Sequence, residues 1–363
     1  MTIHTNATGI WRDASSGHNV NVNGVWREMD TGHTNAGGTW REFYKRKTLG
    51  EVWNLGIGVP NGDWSIGYGN GLFVAVTKGA TTQNIMWSSN GINWTLISSF
   101  STKLGCITYG NNQFVALGGD FWTNGVIYTS SANGTTWTTG TNNTNPGGAF
   151  HSICYAADKG RYVAVGGKVA ADGGTYASHA TSLNATIWSN NGLNAGGGYN
   201  YMVDLQGVCY GNGLFVACCS AYNYSIEGRP FSIDSTLTST DGSNWTTYPA
   251  NTNGVAGQPR SICYAPDKNL FVMVGYNGEI SVSSNGLNWT MVVSPSTTLK
   301  TLNSIAYGDG VFVAVGWSGT VITSPDGVNW MERSGITSSN LTDVCYGDGK
   351  FVAIGRGTSI VSQ

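Results

Sequence analysis

"YGDGVFVAVG", residues 307–316, decides the fold because it is repeated along the chain. Related phrases are "YGNGLFVAV" from Tyr68, "YGNNQFVALG" from Tyr109, "YAADKGRYVAVG" from Tyr155, "YGNGLFVAC" from Tyr210, "YAPDKNLFVMVG" from Tyr264 and "YGDGKFVAIG" from Tyr346. The seven copies are spaced by 41, 46, 55, 54, 43 and 39 residues. Each reads as a strand, a tight turn such as Asn-Gly or Asp-Gly, and a second strand whose unbroken apolar run suits burial on both faces. A third strand and a second turn follow. That turn is "SSNGINW" (88–94), "SANGTTW" (131–137), "SNNGLNA" (189–195), "STDGSNW" (239–245), "SSNGLNW" (283–289) and "SPDGVNW" (324–330). Four short strands in roughly 40 to 45 residues is the arithmetic of a propeller blade.

The last copy ends after three strands, at "GTSIVSQ". A fourth is available near the start, where "GEVWNLGIGVPNGDWSIGYG" (50–69) aligns with "GINWTLISSFSTKLGCITYG" (91–110) and sets Trp53 in the place of the turn tryptophan. Residues of about 50–57 are therefore expected to pair with the C-terminal strands and remove an open sheet edge. The reading is an all-β chain: a seven-bladed propeller over 48–363, with four-stranded blades and an N-terminal strand closing the last one, behind a small hairpin-repeat segment over 1–47. Composition agrees: charged residues are 10%, aromatics 12% and glycines number 53, a balance that suits strands and turns better than helix surfaces. A net charge of −2 gives no footprint for nucleic acid. No signal-peptide start and no apolar run of membrane-spanning length is visible.

In the second turn, Asn90, Asn133, Asp241, Asn285 and Asp326 occupy one position, as does Asn191 in the third copy as aligned. An Asx side chain accepts backbone N–H bonds in a turn, glycine supplies positive φ, and tryptophan packs between sheets. The exchange of Asp for Asn marks a structural carboxylate, since a catalytic one could not become an amide. The turns resemble the Asp-box of sialidase-type propellers, but lack the residue between Asp and Gly. That resemblance implies a propeller fold. Sialidase activity would also need an arginine triad, a tyrosine with its partner acid and an Asp acid/base, and none of these stands out beside Arg161, Arg229, Arg260, Arg333 and Arg356.

No zinc-protease, P-loop, serine-hydrolase or Cys-x-x-Cys motif occurs, so no catalytic residue, cofactor or metal is assigned. His151 and His179 have no patterned ligand partners. Cys154, Cys209, Cys263 and Cys345 each precede the repeated tyrosine, which marks a small packing element rather than a bridge. "GDGK" at 347–350 precedes a strand and is read as a hairpin turn.

Residues 1–47 carry a shorter repeat: "GIWRD" (9–13), "GVWRE" (24–28) and "GTWRE" (38–42). Each unit is about one hairpin, and three hairpins are too small to hold a core alone. Trp11, Arg12, Trp26, Arg27, Trp40 and Arg41 are the expected attachment residues. This segment resembles the short hairpin units of bacteriophage tail and baseplate proteins, which implies docking on a particle. His18 and His33 are read as turn residues in preference to an oligomer's metal site.

In blade geometry, the turns between strands one and two and between strands three and four lie on one face. The remaining connections lie on the opposite face, where lengths vary most, at about 118–126, 166–186, 218–235, 138–150, 195–205 and 246–259. Trp122, Tyr176, Tyr199, Tyr222, Tyr224 and Arg229 fall there and are the candidate glycan-binding set, because sugar C–H faces stack on aromatic rings. The leading expectation is a non-enzymatic virion protein of a tail fibre, baseplate or decoration. Its partners are other virion proteins through 1–47 and a host-surface carbohydrate, with no nucleic acid and no membrane insertion, and with a homo-oligomer allowed. The alternative is a cellular or secreted glycan-binding or assembly propeller, and the third is a glycoside hydrolase or lyase of unrecognised motif.

Overall fold

The computed structural model describes residues 4–6, 9–11, 18–22, 25–29, 50–78, 83–100, 104–119, 126–130, 132–141, 149–169, 175–192, 202–222, 235–249, 258–292, 294–295, 300–333 and 335–362. Those from residue 50 onward form an all-β propeller of four-stranded antiparallel sheets, without an α-helix. Six sheets use four consecutive strands each, spanning 64–100 (blade 1), 104–141 (blade 2), 149–192 (blade 3), 202–249 (blade 4), 259–292 (blade 5) and 302–333 (blade 6). A further sheet is composite. It joins Leu341–Gly347, Lys350–Gly355 and Thr358–Ser362 to Trp53–Leu55, with Ile360 opposite Leu55 and Ser362 opposite Trp53. We call it the closing sheet.

First strands pack on first strands all the way round, and Leu341–Gly347 meets Trp64–Gly69 to complete the circle. Each of seven apolar clusters lies between two neighbouring sheets. The second strand explains this. In Leu72–Thr77, Phe73 and Ala75 join the cluster with the closing sheet, whereas Val74 and Val76 join the cluster with blade 2. Side chains alternate across a strand, so a run buried on both faces must be apolar throughout.

Two turn systems hold one face. In the first, Asn70, Asn112, Asn212, Asp309 and Asp348 take positive φ at the turn after the first strand. The preceding glycines let neighbours approach: a Cβ on Gly69, Gly110, Gly211, Gly308 or Gly347 would fall 2.0 to 2.3 Å from the tyrosine ring of the next sheet. Blades 3 and 5 carry buried Ala156 and Ala265 there, and the next tyrosines, Tyr210 and Tyr307, donate to Asp158 and Asp267.

The second system is the Ser-x-Asx-Gly-x-x-Trp turn. In blade 6, Ser324 Oγ donates to Asp326 Oδ1 (3.0 Å), which also accepts from the N–H groups of Val328 (2.9 Å) and Asn329 (2.7 Å). Trp330 Nε1 then donates to Gly327 O at 2.9 Å. Asn90, Asn285 and Asp241 accept the same pair of backbone bonds, and Asn133 accepts one from Thr135. The expected turn at Asn191 is corrected: in blade 3 the motif is Ser182 to Trp188, with Asn184 as acceptor and Ala185 at φ +62° in place of glycine. Ser189–Gly192, including Asn191, is the fourth strand.

The cysteines of the repeat pack between sheets. Cys154 and Cys209 join the clusters between blades 3 and 4 and between 4 and 5, and Cys263 and Cys345 those between blades 5 and 6 and between the closing sheet and blade 1. Near the N-terminus, His4–Asn6 pairs with Gly9–Trp11, and His18–Val22 with Val25–Met29. The first two Gly-x-Trp-Arg units thus each supply the second strand of a hairpin. His18 begins a strand rather than sitting in a turn, which corrects that expectation. Trp11 lies at a strand end, Trp26 and Arg27 lie within a strand, and Arg12, Trp40, Arg41 and His33 fall outside the described residues.

Candidate functional site

The face opposite the tight turns has an inner ring and an outer row. The inner ring arises from a register shift near the start of the first strand in six sheets, which leaves Gly105, His151, Gln206, Arg260, Asn303 and Thr342 as the extra residue. Bulges re-aim side chains, and here several reach the next sheet. His151 Nε2 lies 3.1 Å from Asp204 Oδ2, and Gln206 Nε2 donates to the same oxygen at 2.8 Å. Asn303 Nδ2 donates to Leu341 O, and Thr342 Oγ1 to Trp64 O. Beside them Asp343 accepts from Ser304 Oγ (2.6 Å), Ser65 Oγ (2.9 Å) and Ile66 N (2.9 Å). Most of these bonds stitch neighbouring blades together.

The outer row is different in kind. In four adjacent sheets, the residue just after the second strand donates its backbone N–H to the carbonyl just before the first strand. The pairs are Tyr276 to Gln258 O (3.2 Å), Trp317 to Thr301 O (3.0 Å), Arg356 to Asn340 O (3.0 Å) and Lys78 to Asp63 O (2.7 Å). Glycine before the first three permits the close approach: a Cβ would fall 2.5 Å from Gln258 O, 2.0 Å from Thr301 O and 1.9 Å from Asn340 O on Gly275, Gly316 and Gly355. The backbone at the row is therefore pinned, with Trp317 and Arg356 exposed and Tyr276 and Lys78 half-buried.

The row is also continuous. The Tyr276 and Trp317 rings lie edge to face with centroids 6.1 Å apart. Asn340 joins the Trp317 turn to Arg356, accepting from Ser318 N at Oδ1 (2.8 Å) and from Arg356 N at its carbonyl. Asp63 joins Arg356 to Lys78, its carboxylate facing the guanidinium at 2.8 and 3.3 Å and its carbonyl taking the Lys78 N–H. The hydrogen bond and charge of Asp63 raise the Arg356 pKa further above its ordinary value. Trp317 is 42% exposed.

The sequence-predicted loop residues lie elsewhere. Tyr176 falls on the third strand of blade 3, opposite Lys168, and Tyr222 ends the second strand of blade 4, opposite Met202, so neither is in a loop as expected. Trp122, Tyr199, Tyr224 and Arg229 lie outside the described residues. Asn90, Asn133, Asp241, Asn285 and Asp326 are all on the opposite face, in turns. Two of these titrate low. Hydrogen bonds, the Asn244 backbone N–H first among them, hold Asp241 well below the usual carboxylate range. At Asp326 desolvation pushes upward, but bonds from Asn329, Val328 and Ser324 outweigh it and leave the group at about 2. The outer row is hidden in the sequence because its four positions carry four different residues; the signal available is the shared place after "FVAVT", "FVMVG", "FVAVG" and "FVAIG".

No grouping of His, Cys, Asp and Glu suited to a metal is found among the described residues. A groove of about 550 Å³ lies between blades 5 and 6, lined by Val282, Met291, Val328 and Trp330.

The fold is similar to that of YCF48 from Cyanidioschyzon merolae, with a TM-score of 0.59 and 13% identity over 85% of this chain and 98% of that one. It is similar also to a structure of YCF48 bound to D1 peptide, with a TM-score of 0.60 and 13% identity over 85% of this chain and 94% of that one. The computationally designed Ika8 protein matches at a TM-score of 0.52 and 10% identity, over 85% of this chain and 98% of that one. No family model and no curated protein matches the chain. At these identities the likeness is one of fold: an all-β propeller with four-stranded antiparallel blades.

Proposed function

We propose that this chain is a non-enzymatic recognition scaffold, a seven-bladed ring when the closing sheet is counted as a blade. Its loop face contacts a partner, and residues 1–47 fasten it to a larger assembly. The observation that carries this reading is the outer row. Tyr276, Trp317, Arg356 and Lys78 occupy one position in four adjacent sheets, each pinned by the same backbone bond. Preorganised aromatic and cationic groups on a rigid rim suit binding, because little side-chain and loop freedom is left to lose. Inner-ring groups such as His151, Asn303, Thr342 and Asp343 bond across to the next blade, and the reading assigns no acid or base. A virion protein that meets a host-surface carbohydrate is the finer form of this proposal, supported by the hairpins at the first two Gly-x-Trp-Arg units.

A protein partner is the second reading, and one observation favours it: a propeller of similar fold has been solved with a peptide, YCF48 bound to D1 peptide. The test uses the full chain, the chain lacking residues 1–47, and Trp317→Ala on arrays of immobilised glycans and peptides. The proposal expects ligands retained by the truncated chain, weakened by Trp317→Ala and recovered unchanged by mass spectrometry. Indifference to Trp317→Ala removes the loop face from the account, and cleaved ligand removes the non-enzymatic assignment.

A further inference from the structure

We propose that the row Tyr276–Trp317–Arg356–Lys78 is a binding site for an anionic saccharide, carboxylated or sulfated. The inference rests on the reading of this face as a recognition surface and names the chemistry it takes. The row divides in two. One half is the edge-to-face pair of Tyr276 and Trp317, with the indole 42% exposed. Aromatic faces take the C–H face of a sugar ring. The other half is cationic, with the Arg356 guanidinium on the Asp63 carboxylate and the backbone of Lys78 on the Asp63 carbonyl.

Asp63 orients Arg356 without consuming it. Two guanidinium nitrogens face the carboxylate at 2.8 and 3.3 Å, and a guanidinium has five N–H donors in a fork that matches a planar anion. Asn340, bonded to both the Trp317 turn and Arg356, fixes the apolar half beside the charged half. A neutral sugar would make no use of that adjacency. An acidic peptide could not bind here by adding a strand, because that mode needs a sheet edge. The edges of these sheets are their fourth strands at the outer rim, whereas the row sits where second strands end.

The test measures binding of the full chain to four probes. These are an oligosaccharide of uronic acid units, a sulfated oligosaccharide of equal length, the carboxyl-reduced neutral form of the first, and a polyglutamate peptide. The expected result is that at least one anionic saccharide binds about ten-fold or more tightly than the neutral one, weakening as salt rises. Trp317→Ala and Arg356→Gln should each weaken it by about ten-fold or more. Asn340→Asp guards against misfolding, since a carboxylate keeps the acceptor for Ser318 N but sets a negative charge beside Arg356; it should lose anionic binding with an unchanged melting curve. Equal affinity for the neutral saccharide, binding of polyglutamate alone, or no binding to any probe overturns the inference. If a glycan or peptide on the wider arrays still depends on Trp317, the scaffold reading stands while this one falls.

Discussion

Trp94 and Ser359 meet across the seam of the ring: the indole Nε1 of Trp94 donates to Ser359 Oγ at 3.0 Å and to Gly91 O at the same distance. The two residues are 265 positions apart in the chain. Between them runs Gly56, whose N–H donates to Ser359 O, while the next residue, Ile57, exchanges bonds with Ile92 and Trp94. The segment that supplies the closing strand therefore also ties the closing sheet to the turn of blade 1.

This seam makes Gly56→Val a severe change. A Cβ at Gly56 would lie 1.9 Å from Ser359 Oγ and 2.9 Å from Ile92 O, and the second of these is backbone that cannot step aside. We expect a loss of about 3 kcal/mol or more in denaturant unfolding. Gly349→Ala is the control, with φ +71° and open space around the Cβ; it should cost only about 1 kcal/mol, from backbone conformation alone. Equal losses for the two would show that the seam has no special stringency.

Much of this architecture is legible in the chain because the repeat repeats for a physical reason. "FVAV" must serve two interfaces at once, so it stays apolar in every copy, and Trp53 betrays the closing strand because its indole makes the same bond to the glycine three residues back, Gly50 O at 2.7 Å. The turn of blade 3 is disguised because "NNG" at 190–192 matches the glycine pattern of the other turns, whereas the true turn holds Ala185 at φ +62°. The outer row was hidden for the opposite reason. Its equivalent positions carry Tyr276, Trp317, Arg356 and Lys78, so identity between copies, which reveals the scaffold, conceals the row; diversified side chains are what the proposed recognition role would require.

Ala185 invites a second test by magnitudes. Left-handed backbone costs an alanine about 1 to 2 kcal/mol relative to glycine, whereas its buried methyl contributes about 0.8 kcal/mol. Ala185→Gly should thus stabilise slightly, by under about 1 kcal/mol. The reverse change at the equivalent Gly242 has φ +75° and a Cβ 2.5 Å from Val163 Cγ2, and it should cost about 2 to 4 kcal/mol. Thermal unfolding of the two variants checks the pair, and opposite signs are required.

Asp241 and Asp326 set an acid limit. Their folded pKa values are depressed, Asp326 to about 2, so the stability they give is fully present above the unfolded carboxylate value of about 3.9. It is lost as pH falls from there through the folded values. Asp326→Asn should flatten stability against pH in this window. At neutral pH it should lose only the bond from Asn329 Nδ2 to Asp326 Oδ2, 2.7 Å long, worth about 1 kcal/mol. A variant that keeps the wild-type acid dependence would mean that other carboxylates govern it.

The repeat cysteines can report where the ring opens. Burial raises the thiols of Cys209 and Cys345 well above their ordinary range, with Asp343 adding to the effect at Cys345. The thiolate is the reactive form, so alkylation near pH 8 is slow at both and hastened by separation of the sheets around the sulfur, with Cys345 starting half-buried and Cys209 buried. Cys345 packs in the cluster between the closing sheet and blade 1, and Cys209 between blades 4 and 5, away from the seam. If the three-residue strand Trp53–Leu55 is the weakest join, local opening there exposes Cys345 before the ring unfolds as a whole. Mass spectrometry of briefly alkylated protein should find Cys345 modified faster than Cys209, and Gly56→Val should widen that ratio. Parallel acceleration of both sites would mean that the seam opens only with global unfolding, and that the ring behaves as one cooperative unit.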